Sequence, residues 1–237
     1  MKIDGVGAAR VGDRAVCIPA IDTIMMGSST VYWDGKPAAR KGDMCAHGGT
    51  ISSGSVSVLI GGGNVLGNPL LAEQFFPGQQ ANKDTCAVMS TAGIVWQVTG
   101  TRVSESDMQV TATKSGAYKA CNGTTNESKL LDEAGLPATQ FLNPSLEDIR
   151  DAIREGRAVI VGYDTRPTWN DNSPKPLGHA VRVTGVEVDD QGKVVAVIIN
   201  DTGDGDANKR VPADVFQKGL DGFGGGRMAT TDEPVHR

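Results

Sequence analysis

The chain lacks the marks of several large protein classes. No run approaches the length of a membrane-spanning helix, so membrane insertion is not expected. No basic cluster is present, and 28 acidic against 23 basic side chains leave a net charge of −5; a nucleic-acid partner is not expected either. The four cysteines (Cys17, Cys45, Cys86, Cys121) are too few and too scattered for a disulfide framework. They read as reduced thiols, offering at most one nucleophile and some metal ligands. Met1-Lys2-Ile3-Asp4-Gly5 has none of the apolar character of a signal peptide. We therefore expect a protein that is cytoplasmic in its producer, with any export independent of the general secretory route. What remains, 39% apolar and 22% charged residues over 237 positions, suits a soluble chain with one ordinary domain and one small one.

The small domain announces itself by repetition. Gly5-Val-Gly-Ala8-Ala9-Arg10-Val-Gly12-Asp13 recurs as Gly35-Lys-Pro-Ala38-Ala39-Arg40-Lys-Gly42-Asp43, and the Gly27 to Gly35 segment is echoed from Gly54 to Gly62. Each unit is a short alternating strand bounded by glycines, as in a small stacked or conical β structure whose corners need glycine. No long helix fits before residue 65. The stretch from Gly61 to Pro69 breaks both periodicities and reads as linker. The expected division is a repeat domain at 1–62, a linker at 63–74 and a second domain at 75–237.

The texture of that second domain is helices first, then strands. Apolar spacing predicts a helix from Cys86 to Gln97, a second from Asn126 to Ala134 and a third opened by the capping-box-like Ser145 to Asp148. Arg157 to Val161 reads as a buried strand, and Asp164 to Gly178 as a polar loop. His179 to Val188 and Lys193 to Asn200 read as strands of a hairpin turning at 189–192. The fold class is α+β.

Thiol catalysis needs a thiolate, a base, a group that orients the base and an oxyanion donor. A helix start is where backbone N–H groups favour a thiolate, and of the cysteines Cys86 has that setting. Of three histidines, His47 lies in the repeats and His236 is penultimate, which leaves His179 as the base. Across the hairpin, Asp201 comes within about two residues of His179, with Asn200 just behind. Asp201 to Asp206 also reads as the opening of a calcium loop, but Pro212 stands where an EF-hand requires glutamate.

With Gln80 six residues ahead of Cys86, then Gly178-His179-Ala-Val-Arg-Val-Thr-Gly185 and Ile-Ile-Asn200-Asp201-Thr-Gly203, residues 75 to 220 resemble papain-like cysteine proteases. The resemblance is nearest to bacterial peptidases that process bacteriocin leaders. It implies an oxyanion role for Gln80 (Gln79 is a rival), with Cys86 as nucleophile, His179 as base and Asp201 or Asn200 as orienter. It implies no cofactor for catalysis. The chain departs from that family at Ala87, where glycine usually follows the nucleophile.

Lys36-Pro37-Ala38-Ala39-Arg40, with its Gly-Asp pair and Gly-Ser-x-x-Val strands, resembles the PAAR family, the small β cones that sharpen the type VI secretion spike. The resemblance implies a structural zinc, for which Cys17, Cys45 and His47 are candidates, one short of a closed four-ligand site. Together the two resemblances imply a PAAR-tipped antibacterial type VI effector carrying a papain-like cysteine protease. Its partners would be a VgrG-like spike protein, a cognate immunity protein and a protein substrate in the cytoplasm of the target cell. The alternatives are a thiol deamidase or transglutaminase on the same scaffold, and a catalytically silent spike tip.

Overall fold

Tight turns organise the N-terminal part. A computed structural model describes residues 1–16, 21–28, 31–55, 57–58, 60, 64–120, 123–124, 126–189 and 191–235. Among the described residues three short antiparallel strand pairs, Lys2–Ile3 with Val6–Gly7, Arg14–Val16 with Ile21–Thr23 and Tyr32–Trp33 with Lys36–Pro37, run through the repeats. The first and third turn on Asp4-Gly5 and Asp34-Gly35, all four residues at positive φ, as two-residue hairpin loops require. Pro37 O accepts from Val11 N at 3.0 Å and Ala9 O from Ala39 N at 2.9 Å, so the two Ala-Ala-Arg segments pair with each other. In each copy the arginine reaches the aspartate three residues on: Arg10 Nη2 donates to Asp13 Oδ1 at 3.3 Å, and Arg40 Nη2 to Asp43 Oδ1 at 3.0 Å. The sequence repeat is therefore a structural one, closed by an Arg–Asp staple in each half.

The second domain is built on one antiparallel sheet of seven strands. In chain order these are β1 (Asn64–Gly67), β2 (Ala138–Leu142), β3 (Val159–Asp164), β4 (Gly178–Val188), β5 (Val194–Asp201), β6 (Asp206–Pro212) and β7 (Arg227–Thr231). Their spatial order is β2-β7-β3-β4-β5-β6, with β1 pairing the far half of the long β4. Among the described residues seven helices accompany them: α1 (Pro69–Glu73), α2 (Cys86–Thr99), α3 (Glu105–Lys114), α4 (Glu127–Glu133), α5 (Leu146–Arg154), α6 (Arg166–Trp169) and α7 (Ala213–Gly222). Side chains alternate across β3, which divides the core in two. Val159 and Val161 pack with Ile149 of α5 and Phe216 of α7, whereas Ile160 packs with Val88 of α2 and Leu130 of α4. The sheet is covered on both faces, and the architecture is α+β.

Residues 64–73, expected as linker, instead belong to this domain. Leu66 pairs with Val186 and Gly67 with Gly185, and Asn68 caps α1 by accepting from Leu71 N at 3.1 Å, with Pro69 at the first helical position. The glycines there serve close approach, not flexibility. A Cβ on Gly67, which has φ +90°, would lie 2.5 Å from Thr184 O, and one on Gly185 would lie 2.7 Å from Pro69 Cγ. Residues 61–63 lie outside the described residues.

The helix starting at Cys86, the capping box at Ser145 and the 179–201 hairpin fall where the sequence places them. Helices α3 and α7 and the strands β2, β6 and β7 were not anticipated. No helix among the described residues is long and apolar enough to cross a membrane.

Candidate active site

Cys86 is the first residue of α2. The preceding Thr85 does not cap the helix with its side chain, so the first-turn N–H groups stay available to an anion. The thiol is half-buried and accepts from Ala180 N at 3.3 Å. Ala180 belongs to β4, and the residue before it is His179, whose imidazole acts on the thiol electrostatically. Burial pushes the Cys86 thiol up, but His179, with the Ala180 and Ala87 N–H groups, outweighs that and brings it below the ordinary thiol value.

His179 is 6% exposed. Its Nε2 bonds Asp201 Oδ1 at 2.8 Å. A carboxylate only accepts, so Nε2 carries the proton and Nδ1 is the nitrogen left for the thiol. Burial works against an imidazolium here, yet the bond to Asp201 and the Cys86 thiolate raise the His179 pKa to about 9. Asp201 is fully buried at the end of β5. Desolvation pushes its pKa up, but the His179, Trp169 and Gly203 donors pull it below the usual carboxylate range.

Gln80 lies across from this acid and is doubly bonded to the residue after it. Gln80 N donates to Thr202 O at 2.8 Å, and Thr202 Oγ1 donates to Gln80 Oε1 at 2.9 Å. Its Nε2 donates to Asn82 O at 2.8 Å, which leaves the amide a second N–H. Gln79 is exposed and donates through Nε2 to Gly203 O at 3.0 Å. Asn200, next to Asp201 on the strand, points to the opposite face. It donates to Ala72 O at 3.2 Å and accepts from Asn208 N at 3.1 Å, so the imidazole contact is made by Asp201 alone of the two.

Residues 1–53 match the PAAR motif family. No curated protein matches the chain. Among solved structures the chain is similar to a C39-like peptidase from Bacillus anthracis, at 17% identity and a TM-score of 0.45, over 66% of this chain and 94% of that one.

Several residues at this site were not anticipated. Trp169 Nε1 donates to Asp201 Oδ2 at 2.8 Å, and its ring lies 5.1 Å from the His179 ring, tilted by 53°. Gly203 N donates to Asp201 Oδ1 at 3.0 Å. A side chain at Gly203 would collide with both rings, its Cβ 2.7 Å from Trp169 and 2.8 Å from His179. Lys209 Nζ lies 3.8 Å from Asp201 Oδ2, bonds Asp204 and comes within 4.0 Å of Asp206. An internal ammonium thus sits among the aspartates that suggested a calcium loop. The one signal in the sequence for Trp169 was its place in the loop before His179.

The metal reading of the repeat domain finds less. Cys17 lies outside the described residues. Cys45 is buried, and the exposed His47 leans on the buried Asp22, with Nδ1 3.6 Å from Oδ1. Among the described residues no three His, Cys, Asp or Glu side chains cluster to hold a metal.

Proposed function

We propose that this chain is a type VI secretion effector, with residues 1–62 as a PAAR tip and the sheet domain behind it as a papain-like thiol endopeptidase toxic to a rival bacterium. The observation that carries the catalytic half is Cys86 at an uncapped helix start, facing His179 whose Nε2 is held by Asp201 at 2.8 Å. The delivery half rests on the motif match over residues 1–53.

In this reading the Cys86 thiolate attacks a peptide carbonyl carbon. The carbonyl electrons move onto oxygen, and that oxyanion accepts from Cys86 N and the second N–H of Gln80 Nε2. Collapse of the adduct breaks the C–N bond while His179 gives its Nδ1 proton to the departing amine. His179 then takes a proton from water, the hydroxide attacks the thioester carbonyl, and the thiolate leaves. Asp201 holds the tautomer throughout. Fixing Nε2–H toward the acid keeps Nδ1 toward sulfur, and Trp169 and Gly203 hold the acid in turn.

The partners in this reading are a VgrG-like spike protein beneath the tip, an immunity protein that blocks the cleft, and a protein substrate in the recipient cytoplasm. Expression of the chain in a susceptible bacterial cytoplasm, with and without Cys86→Ala, tests the catalytic claim. Toxicity that disappears with the thiol supports it, and equal toxicity overturns it. Mapping of new protein N-termini in the intoxicated cells then separates reaction types. Cys86-dependent termini mark a peptidase, whereas side-chain mass changes without new termini mark a thiol deamidase or transglutaminase.

A further inference from the structure

The loop that joins Gln80 to Cys86 is too short to build its own core, and its polar groups need partners. They find one carboxylate. Glu105 accepts from Ala81 N at 2.8 Å, from Asn82 N at 3.1 Å, from Asn82 Nδ2 at 3.3 Å and from Thr85 Oγ1. Thr85 is the residue immediately before the nucleophile, and Ala81 immediately follows Gln80. Both ends of the loop are therefore tied to the same two oxygens. Thr85 Oγ1 also lies 2.8 Å from Asn82 O, the carbonyl that receives Gln80 Nε2.

The chain reaches this arrangement by an uneconomical route. Helix α2 has fourteen residues and is roughly 21 Å long, and Glu105 follows its far end. Residues 100–105 can span about 20 Å when extended, so they must run nearly straight back to bring Glu105 beside Thr85. Gly100, left-handed at φ 76°, makes the reversal. On the way Arg102 lies over the Trp96 ring at 5.1 Å and donates to Pro77 O at 3.0 Å, gripping the segment that leads into Gln80. Burial opposes a charge on Glu105, but the donors outweigh it and hold the carboxylate below its usual range.

We propose that Glu105 is a positioning residue for the thiol chemistry, a carboxylate staple that sets the Gln80 amide in register with the Cys86 thiol. The role rests on the peptidase reading for its catalytic consequence, while the staple itself is a property of the fold. Glu105 touches neither sulfur nor substrate and acts through the loop. A misplacement of about 1 Å in a positioned group costs about 100-fold in rate, and loss of one oxyanion donor about 100- to 1,000-fold in kcat.

The test uses the full chain with Glu105→Ala and Glu105→Gln, and reads hydrolysis of dye-quenched casein beside alkylation of Cys86 by chloroacetamide. Alkylation forms no oxyanion, so it depends on the thiolate and not on Gln80. The expected result is a fall in kcat of roughly 10- to 100-fold for Glu105→Ala, little change in KM, and alkylation within about twofold of the parent rate. Glu105→Gln keeps one acceptor oxygen, enough for one of the two backbone N–H groups that Glu105 holds on separate oxygens, and restores part of the loss. With Gln80→Ala already present, Glu105→Ala costs little more, as coupled residues require. A parallel fall of alkylation and hydrolysis, or additivity with Gln80→Ala, overturns the role. If the parent chain cleaves no casein, hydrogen exchange decides the staple independently: the Ala81 and Asn82 amides are protected in the parent and exposed in Glu105→Ala, and unchanged exchange sinks it.

Discussion

Trp169 Nε1 donates to Asp201 Oδ2 at 2.8 Å, while His179 Nε2 holds the other oxygen of the same carboxylate at the same distance. The acid is fully buried, and a buried carboxylate keeps its charge only if its lone pairs are met. Trp169 thus supports the base at one remove, and its ring also lies against the imidazole. Trp169→Phe keeps an aromatic ring but deletes the Nε1 donor, along with the fused-ring atoms that pack at Gly203. Hydrogen bonds to charged groups contribute about 1.5–3 kcal/mol, equivalent to roughly 10- to 100-fold in rate if felt fully in the transition state. We expect a loss of hydrolysis in that range with the fold retained, checked by thermal unfolding beside the activity assay. Unchanged kcat would show that Asp201 holds the base without the Trp169 donor.

The charges on His179 and Cys86 define a pH window. Burial opposes both, but the Asp201 and Cys86 contacts raise His179 to about 9, and the His179 contact and charge lower the thiol. A thiolate–imidazolium pair therefore exists from the depressed thiol value up to about 9. Chloroacetamide alkylation of Cys86 is expected to set in at lower pH than alkylation of an ordinary thiol. Hydrolysis is expected to fall as pH rises through about 9, where His179 loses the proton the leaving amine needs. The stability sign follows from the same shift. The folded state holds the His179 proton more tightly than an ordinary imidazole of pKa 6.5, so this contribution is complete below 6.5 and is lost as pH rises through about 9. The depressed Cys86 thiol contributes with the opposite sign over the same interval and offsets this loss in the parent. Denaturant titrations of Cys86→Ala and of Cys86→Ala combined with His179→Asn isolate the His179 contribution: the first should lose stability as pH rises that the second does not lose, and parallel curves would refute it.

The two Arg–Asp staples of the repeat domain occupy equivalent places but unequal surroundings. Arg40 and Asp43 side chains are 8% and 2% exposed, against 29% and 30% for Arg10 and Asp13. A half-buried pair such as Arg10–Asp13 is partly screened by solvent and contributes less, whereas removing one partner of a buried pair costs about 3–5 kcal/mol. Asp43→Ala is therefore expected to open the repeat domain more than Asp13→Ala does. Hydrogen exchange over the paired Ala9, Val11 and Ala39 amides provides the measurement, and equal effects of the two substitutions would contradict the ranking.

What the sequence made legible was local, and what it hid was not. Helix α2 and the β4–β5 hairpin declare themselves through apolar spacing and turn residues a few positions apart, and these two elements alone bring Cys86, His179 and Asp201 within reach of one another. The staple at Glu105 depends on an extended return along α2 that no periodicity records. Strand β7, near the C-terminus, inserts between β2 and β3, a pairing of distant segments that local propensity cannot encode. The stretch from 64 to 73 misled for a different reason. Glycine marks flexible linkers and tight backbone contacts alike, and only the packing of Gly67 on Thr184 and of Gly185 on Pro69 separates the two. Trp169 went unnoticed because a tryptophan in a polar loop has no periodicity to betray its partner.

Glu127, at the start of α4, is 1% exposed, and Arg227 Nη2 lies 3.1 Å from its Oε1. Gly162 makes room for the pair, since a Cβ there would lie 3.2 Å from Glu127 Oε1. Burial raises the Glu127 pKa, and the Arg227 charge works in the opposite direction. Arg227→Met leaves a buried carboxylate without its cation, which costs about 3–5 kcal/mol. The sign of its pH dependence is fixed by the same shift. Without Arg227 the folded-state pKa of Glu127 climbs further above the unfolded value, so the variant loses stability as pH rises and recovers it where the carboxyl is protonated. Its deficit relative to the parent should thus be largest at neutral pH and shrink toward acid. Combining Arg227→Met with Glu127→Gln removes the charge itself and should recover much of the loss at neutral pH. Chemical denaturation of the parent and both variants at neutral and acid pH decides the matter. A deficit that stays constant with pH, or a double variant no better than the single, would show that Arg227 contributes packing against Phe223, over whose ring its guanidinium lies at 5.3 Å, and not charge compensation.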